Sequence, residues 1–298
     1  MKILVFGAGY LGTNLANSNN YSTYGIELIQ LSKEKIQSIA DVERELSAYK
    51  PDVVINTIAK TGRPNVDWCE SNKTETLFSN TTVPLMILDV CKRANVQMVH
   101  IGTGCLYRTA YKLNESGAET DNIQQFSEND EANFLPGYYS KTKYYADCLL
   151  AENGVLILRP RQMFDGSHND RNLVCKLIKY DKLINSQNSM VYIPDLIDAM
   201  FKLIFSNQTG IFNVVNSGAI TPYQIICLYQ EIVDSSHKFG MFKSISELDG
   251  ITKSPRTDCL LDITKLEQTI DQSMPNVEDR VITSLNQFKS IGGNAVDS

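Results

Sequence analysis

The stretch of sequence that decides the fold is ILVFGAGYLG, residues 3–12. Its first four residues form an apolar run of strand length, and a helix-compatible stretch follows from residue 13 to 17. Between a strand and a helix, a G-x-G-x-x-G turn lets backbone N–H groups approach a pyrophosphate, and the helix N-terminus adds a favourable dipole. The stretch therefore predicts a dinucleotide site, with a purely structural glycine turn as the alternative. Its expected contacts are Gly7, Gly9, Tyr10, Leu11 and Gly12.

Beyond this turn, apolar runs of strand length alternate with helical patterns. We expect strands at residues 3–6, 26–31, 53–56, 96–101, 155–158 and 210–215, and helices at 13–17, 41–49, 80–94, 139–153 and 276–290. The alternation predicts an α/β fold with a Rossmann-type doubly wound parallel sheet, in which ligands bind beyond the carboxyl ends of the strands. The expected division is a dinucleotide-binding domain at 1–158, to which 192–216 return, and a smaller C-terminal substrate lobe formed by 159–191 and 217–298.

The end of the second predicted strand bears on the choice of cofactor. An enzyme that prefers NADH usually ends this strand in an acid that bonds the ribose 2′-hydroxyl. Here Leu31 is followed by Ser32 and Lys33, a hydroxyl and a cation that suit a 2′-phosphate. The sequence thus favours NADPH, with NADH as the alternative, and a solvated loop lysine is the other interpretation of Lys33.

The composition narrows the class of protein. A net charge of −6 and a pI near 5.2 argue against nucleic-acid binding, which requires a basic face. The seven cysteines include no C-x-x-C pair, and no two of the three histidines have ligand spacing. We therefore expect reduced thiols in a cytosolic setting and no metal site. Because no apolar run approaches roughly 20 residues and the strand pattern begins directly after Met1, we expect neither a membrane segment nor a signal peptide.

A second stretch, YSKTK at residues 139–143, points to chemistry. If it is helical, Tyr139 and Lys143 lie one turn apart on one face. An ammonium beside a phenol favours the phenolate and lowers the tyrosine pKa from its ordinary value of about 10. The pair then suits a proton donor to a carbonyl that a nicotinamide reduces. A surface helix with a solvated lysine is the alternative, and the surrounding motifs decide between the two.

Three further motifs accompany this pair. They are TGRPNVDWCESNK at 61–73 after the third strand, TGCLY at 103–107 at the end of the fourth, and NDRNLVCK at 169–176 after the fifth. A hydroxyl after the fourth strand, with tyrosine and lysine on the next helix, resembles the catalytic set of extended short-chain dehydrogenases/reductases. Together the motifs resemble the 3,5-epimerase/4-reductases that make nucleotide-linked L-rhamnose, which are related to dTDP-4-dehydrorhamnose reductase. The resemblance covers about residues 1–290.

The resemblance implies a nucleotide-linked 4-keto-6-deoxy-glucose as substrate. Inverting C3 and C5 of this sugar needs a base and an acid on opposite faces of the ring, and the resemblance assigns these roles to Cys105 and Lys176. The related GDP-mannose 3,5-epimerase uses a cysteine and a distant lysine in this way. Thr103 and Tyr139 would hold the C4 oxygen, and Lys143 would hold the ribose while Tyr139 delivers a proton to that oxygen. A cysteine that only fills space and a surface lysine are the alternatives for Cys105 and Lys176.

The resemblance also implies a wider binding site. Further cofactor contacts are expected at Thr57, Ile58, Ala59, Asn80, Pro160 and Arg161. Substrate contacts are expected at Arg63, Asn65, Gly104, Cys105, Asn172, Lys176, Asn188 and Arg256. Arg256 would pair with the diphosphate. The alternatives are that Arg63 and Asn65 only brace their loop and that Arg256 is a solvated loop charge.

The chain departs from the family pattern at two places. The glycine motif is one residue shorter than the G-x-x-G-x-x-G of extended reductases, and Asp170 replaces a proline before Arg171.

Two other functions stay open. One is a reductase that relies on a separate epimerase and needs neither Cys105 nor Lys176. The other is a regulatory subunit of the same fold, like that of methionine adenosyltransferase. The plant resemblance favours UDP over dTDP, and a homodimer is expected from the family alone.

Overall fold

A computed structural model describes residues 1–18, 24–31, 36–109, 124–135 and 137–293. The chain divides into two units of similar length. The first comprises residues 1–103, 135–159 and 197–212, and the second comprises 104–134, 160–196 and 213–298. This division differs from the expected one, because the second unit is not smaller and because it includes residues 104–134. The backbone explains the difference, since the Gly104 N–H donates to the Pro160 carbonyl over 2.9 Å and residues 125–126 pair with 260–261.

The elements are numbered in chain order. The strands are β1 (Lys2–Phe6), β2 (Glu27–Leu31), β3 (Val53–Asn56), β4 (Gln97–Ile101), β5 (Gln125–Phe126), β6 (Leu156–Arg159), β7 (Met163–Phe164), β8 (Lys182–Leu183), β9 (Val191–Tyr192), β10 (Gly210–Asn213), β11 (Gly240–Met241) and β12 (Leu260–Leu261). The helices are α1 (Tyr10–Ala16), α2 (Ile39–Tyr49), α3 (Asp67–Ser71), α4 (Lys73–Leu77), α5 (Val83–Ala94), α6 (Tyr138–Ala151), α7 (Leu173–Leu177), α8 (Ile193–Phe205), α9 (Pro222–Ile232), α10 (Ile245–Asp249), α11 (Thr264–Ile270) and α12 (Val277–Gly293). A π-helical turn, Phe78–Thr82, joins α4 to α5.

The central sheet has six strands in the order β10-β6-β4-β3-β1-β2. The pairs from β2 to β6 across this sheet are parallel. The predicted α/β fold with a Rossmann-type doubly wound sheet is therefore confirmed. The strand order reverses between β1 and β3, because the chain passes from β2 at one edge back across β1. In such sheets the crevice beyond the carboxyl ends of the strands at this switch point receives the ligand.

The helix that carries the tyrosine and lysine motif begins after Gly137. Its first N–H, on Tyr138, donates to a carboxylate oxygen of Glu70 over 2.6 Å. The first N–H groups of a helix have no partner within the helix, and a carboxylate there also complements the helix dipole. Glu70 belongs to the 61–73 motif. One acid of this motif thus stabilises the start of α6.

The second unit has its own apolar core. Side chains of α7, α9 and α12 meet there, with Phe164, Met190 and Val281 among the fully buried members. Helices α8 and α9 were not predicted from the sequence.

Within the described ranges, the helices are all too short or too polar to cross a bilayer. The same ranges hold no group of three or more His, Cys, Asp or Glu side chains suited to a metal ion.

The interior strand β1 should contribute strongly to the stability of the first unit. Leu4 is fully buried in its core. We expect Leu4→Ala to lower the free energy of unfolding by about 2–5 kcal/mol, because it removes apolar contacts and leaves a cavity. Urea unfolding followed by circular dichroism measures the change. Leu77→Ala is the matched control, since Leu77 is 44% exposed and should change stability by only about 0.5 kcal/mol. Equal losses in the two variants would contradict the burial of Leu4.

Candidate functional site

The glycine turn after β1 has the shape that a dinucleotide site requires. Gly7 has a φ of 113°, and a Cβ added there would lie 2.5 Å from the Thr57 hydroxyl oxygen. A Cβ at Gly12 would collide with the carbonyl oxygen of Gly7, so only glycine lets α1 pack this closely on the turn. A Cβ at Gly9, by contrast, would meet no atom within 4 Å. The backbone at Gly9 is thus open to an approaching pyrophosphate, and the turn fits the cofactor.

The loop after β3 lies beside this turn and is held by side-chain hydrogen bonds. The Thr57 hydroxyl donates to the Phe6 carbonyl over 3.0 Å, and the Ile58 N–H donates to the Asn56 amide oxygen over 3.0 Å. Asn80 is fully buried, and its amide bonds both the N–H and the carbonyl of Lys60 and the Thr142 hydroxyl. Asn80, predicted as a cofactor contact, therefore braces the loop in this structure. Ala59 is exposed.

The lysine of the YSKTK motif is enclosed by protein. None of the Lys143 side chain is exposed, and its amine donates to the Ile101 carbonyl over 2.6 Å. The same amine lies 2.8 Å from Nε2 of His100, whose Nδ1 lies 3.0 Å from the Asn56 amide nitrogen. Burial lowers the pKa of Lys143 to about 8, although Asp147 partly offsets this, and burial also holds the pKa of His100 well below its ordinary value. The amine therefore changes its charge close to neutral pH.

A buried ion pair lies next to this lysine. Asp147 Oδ2 accepts a hydrogen bond from Nε of Arg159 over 3.1 Å, and Asp147 Oδ1 lies 4.0 Å from Nε2 of His100. Burial raises the pKa of Asp147, while Arg159 and Lys143 act to lower it. The carboxylate also excludes other side chains, because a Cβ at Gly102 would lie 2.8 Å from Oδ2 of Asp147. Gly102 at the end of β4 thus makes room for this pair.

Thr103 and Tyr139 belong to the same unit as Lys143. Thr103 follows β4 and is buried, whereas Tyr139 lies in the first turn of α6 and is partly exposed. Tyr139, Lys143 and Asp147 are spaced four residues apart, so they follow one another along one face of α6. The helix predicted from residue 139 is confirmed, and it begins one residue earlier.

Cys105 lies in the second unit and is held by Arg161. The guanidinium of Arg161 is buried, and its Nη1 donates to Sγ of Cys105 over 3.2 Å and to the Thr257 hydroxyl over 2.7 Å. Its Nη2 donates to the Thr257 carbonyl over 2.7 Å and to the amide oxygen of Asn188. Cys105 itself stays half-buried. Arg161 and Asn188, predicted as binding residues, thus orient the sulfur atom, and the Pro160 carbonyl bonds the Gly104 N–H.

Lys176 also lies in the second unit, on α7. Its side chain is half-buried and makes no hydrogen bond or ion pair with any residue that the structure describes. Burial lowers the pKa of this amine, and the nearby Arg171 lowers it further. The preceding Asn172 is fully buried, and its amide bonds the carbonyls of Asp165 and Ser167 and the N–H of Val174. Asn172 therefore caps α7 and positions the lysine.

The other predicted substrate and cofactor residues differ in their exposure and in their hydrogen bonds. Arg63 is exposed, and the Asn65 amide oxygen accepts the Asp67 N–H over 2.9 Å, so Asn65 does brace its loop. Arg256 is partly exposed, and its Nη1 donates to the Ser254 carbonyl over 2.8 Å. Gly104 is buried, and a Cβ there would lie 2.5 Å from Leu261 Cδ1. Ser32 and Lys33 lie outside the residues that the structure describes.

Sequence reasoning missed the polar residues around Lys143, namely Asn56, His100, Asp147 and Arg159. For two of them a signal was available. Asp147 continues the four-residue spacing of Tyr139 and Lys143, and His100 is a lone imidazole in an otherwise apolar strand pattern. The role of His100 can be recognised only from the sheet, because Asn56 and His100 are direct neighbours in the parallel register of β3 and β4.

A doubly wound parallel sheet, a glycine turn at its switch point and a tyrosine–lysine helix are the features of a short-chain dehydrogenase/reductase fold. Comparison with known proteins narrows this class. Residues 1–290 match the family described as RmlD substrate binding domain. The chain is also 32% identical to the bifunctional dTDP-4-dehydrorhamnose 3,5-epimerase/dTDP-4-dehydrorhamnose reductase of Arabidopsis thaliana, with 92% of this chain and 89% of that protein covered. The chain therefore belongs to the RmlD substrate binding domain family, and the resemblance seen in the sequence is confirmed.

Solved structures agree with this assignment. The crystal structure of the L780 UDP-rhamnose synthase from Acanthamoeba polyphaga mimivirus has a TM-score of 0.84 at 25% identity and covers 96% of this chain and 99% of its own. The dTDP-4-dehydrorhamnose reductase from Bacillus anthracis, solved in complex with NADP, has a TM-score of 0.78 at 18% identity, with 96% and 98% covered, and shows the same fold. The chain spans about two fifths of the length of the trifunctional plant rhamnose-synthesis proteins that it also matches.

The buried pair of Asp147 and Arg159 should be costly to break. Asp147→Asn keeps the shape of the side chain but removes the negative charge that faces Arg159. We expect a loss of about 3–5 kcal/mol in the free energy of unfolding, because a buried cation then lacks its counter-charge. Chemical unfolding measures it. Asp89→Asn is the control, since Asp89 and its partner Arg93 are both half-exposed, and such pairs contribute about 0–1 kcal/mol. A loss no larger than that of the control would contradict this account.

Proposed function

We propose that this protein is a bifunctional 3,5-epimerase/4-reductase that converts UDP-4-keto-6-deoxy-D-glucose to UDP-L-rhamnose with NADPH. The observation that carries the proposal is the amine of Lys176. It is half-buried, has no partner among the described residues, and has a lowered pKa. A reductase alone has no need of a second reactive amine, whereas epimerisation needs two proton-exchanging groups. The thiol of Cys105, held by Arg161, is the second group.

The reductase chemistry is assigned to the first unit. When bound, NADPH supplies a hydride to C4 of the sugar. The protein's task is to place a proton on the C4 oxygen, and Tyr139 does this from the first turn of α6. Thr103 donates to the same oxygen, and charged Lys143 favours the phenolate that Tyr139 leaves behind. The open backbone at Gly9 accommodates the pyrophosphate. NADH is the alternative cofactor, since the residues expected to read the 2′-position lie outside the described ranges.

The epimerase chemistry is assigned to Cys105 and Lys176. The C4 carbonyl acidifies the protons at C3 and C5, so a thiol or thiolate and an amine suffice to remove and return them. Each such group contributes about 10²–10⁴ in rate. A lowered lysine pKa helps, because general acid–base groups work best when their pKa lies near the working pH. Arg256 provides the charge that a diphosphate requires.

The decisive experiment supplies UDP-4-keto-6-deoxy-glucose and NADPH to the purified protein. We expect NADPH to be consumed and UDP-L-rhamnose to form, identified by NMR of the product. The dTDP-linked sugar is run in parallel, and a higher kcat/KM for it would reassign the nucleotide. Reduction only of a sugar that has already been epimerised would leave a reductase that depends on a separate epimerase. No consumption of NADPH with either sugar would contradict the proposal and favour a regulatory role.

The two activities should separate by mutation. We expect Cys105→Ser to slow the exchange of solvent deuterium into C3 and C5 by about 10²–10⁴, because serine is a far weaker proton acceptor. The same variant should still reduce a substrate that has already been epimerised. Tyr139→Phe should lose reduction but keep part of the exchange, since Thr103 still donates to the C4 oxygen that carries the enolate charge. Cys227→Ser, a half-buried cysteine of α9, is the matched control. Exchange at full rate in Cys105→Ser would remove the thiol from the mechanism.

Reduction should depend on pH through Lys143. The cationic form is present below its pKa of about 8 and is lost as the pH rises through that value. Because the cation favours the phenolate, we expect kcat/KM for NADPH, which reports on the free enzyme, to fall above about pH 8. Stopped-flow measurement of NADPH oxidation from pH 6 to 10 checks this. A flat profile across pH 7–9 would show that the charge of Lys143 has no part in the reaction.

A further inference from the structure

The hydrogen bonds of Asn56 determine which of its amide atoms faces His100. Its amide oxygen accepts the Ile58 N–H over 3.0 Å, so the amide nitrogen is the atom that faces Nδ1 of His100 at 3.0 Å. If the amide were rotated by 180°, its nitrogen would face the Ile58 N–H, and two donors would then point at each other. An amide nitrogen only donates, and Nδ1 of His100 must therefore accept. The proton of the neutral imidazole then resides on Nε2.

This tautomer has a consequence for Lys143. Nε2–H of His100 points at the lysine amine, 2.8 Å away. An ammonium has only donors, so two donors would face each other if Lys143 were charged. A neutral amine has a lone pair that accepts from Nε2–H and keeps an N–H for the Ile101 carbonyl, 2.6 Å away. The hydrogen bonds of this structure are those of a neutral lysine.

The buried charges give the same answer. The charged or titratable side chains that surround this amine are His100 of β4, Asp147 of α6 and Arg159 of β6, with Tyr139 one turn away on α6. Asp147 is paired with Arg159 at 3.1 Å. A charged Lys143 would add a second cation to one carboxylate in a region without solvent exposure, which is unfavourable. Burial lowers the pKa of Lys143 to about 8, so the neutral amine predominates above that pH.

We propose that Nε2–H of His100 holds Lys143 as a neutral amine in the free protein at mildly alkaline pH, and that this amine takes up one proton from the solvent when the dinucleotide binds. His100 is then a positioning residue for the reductase reaction, and Asn56 sets its tautomer. The inference rests on the proposed function for the identity of the ligand. A dinucleotide brings negative charge and ribose hydroxyl oxygens, both of which favour the ammonium. Binding thereby converts Lys143 into the form that favours the phenolate of Tyr139.

The test is calorimetry of NADP⁺ binding at pH 8.5 in two buffers of different ionisation enthalpy, which counts the protons taken up without any sugar substrate. The wild-type protein should take up about 0.8 proton per site, the fraction of a group with a pKa of about 8 that is neutral at this pH. His100→Gln should take up markedly less. A glutamine carbonyl can accept from the ammonium, so Lys143 is already charged in the free variant. His168→Gln, in the second unit, is the matched control and should behave as wild type.

Each outcome bears on a separate claim. If NADP⁺ does not bind, the proposed function fails and this inference fails with it. If NADP⁺ binds but wild type and His100→Gln take up the same number of protons, only the role of His100 is overturned. Should the variant not fold, ¹⁵N NMR of the wild-type histidines decides instead. We expect a protonated Nε2 and an unprotonated Nδ1 for His100 between pH 7 and 9, and the opposite tautomer would overturn the inference.

Discussion

A lysine amine with no solvent exposure lies at the centre of the first unit, and its surroundings follow from what such a group requires. Burying an ammonium without a counter-charge is unfavourable by several kcal/mol. The nearby carboxylate of Asp147 already faces Arg159, so hydrogen bonds must hold Lys143 instead. One goes to the carbonyl at the end of β4 and one to His100. Since β3 and β4 are parallel and Asn56 is the register partner of His100, the sheet itself sets the hydrogen bonding of this lysine.

The two lysines proposed to act both have lowered pKa values, but they differ in the charge that lies nearest to them. Burial is the main cause at both, but the next charge is Asp147 beside Lys143 and Arg171 beside Lys176. A carboxylate favours the ammonium, whereas a guanidinium opposes it. Asp147 therefore keeps the pKa of Lys143 from falling further than about 8, so cofactor binding can return the amine to the charged form that favours a phenolate. Lys176 has no such support, which suits a group that must release and accept protons.

Much of the fold could be predicted from the sequence, because apolar runs and helical periods are local signals. The sheet strands were placed within two residues, and α6 within one at its start. The buried polar residues could not be predicted in the same way. His100 follows two apolar residues in β4, and nothing local says that its neighbour across the sheet is Asn56. The tautomer of His100 also depends on a third residue, Ile58, whose N–H fixes the orientation of the Asn56 amide. Predicting that tautomer would require the strand register, the loop geometry and the amide orientation together.

The resemblance to a family identified residue types, but the hydrogen bonds decide what each one does. Asn80, Asn172 and Asn188 were all expected to contact ligands, and each is fully buried with its amide bonded to protein groups. A buried amide whose donors and acceptors are paired cannot also bind a ligand without breaking those bonds. In this structure these residues hold the loop after β3, the start of α7 and the guanidinium beside Cys105, and their contacts with ligands stay predictions. Cys105 and Lys176 differ from these asparagines, because the thiol is half-buried and the amine has no partner among the described residues. A thiol and an amine of this kind are the two groups that the proposed proton exchange requires.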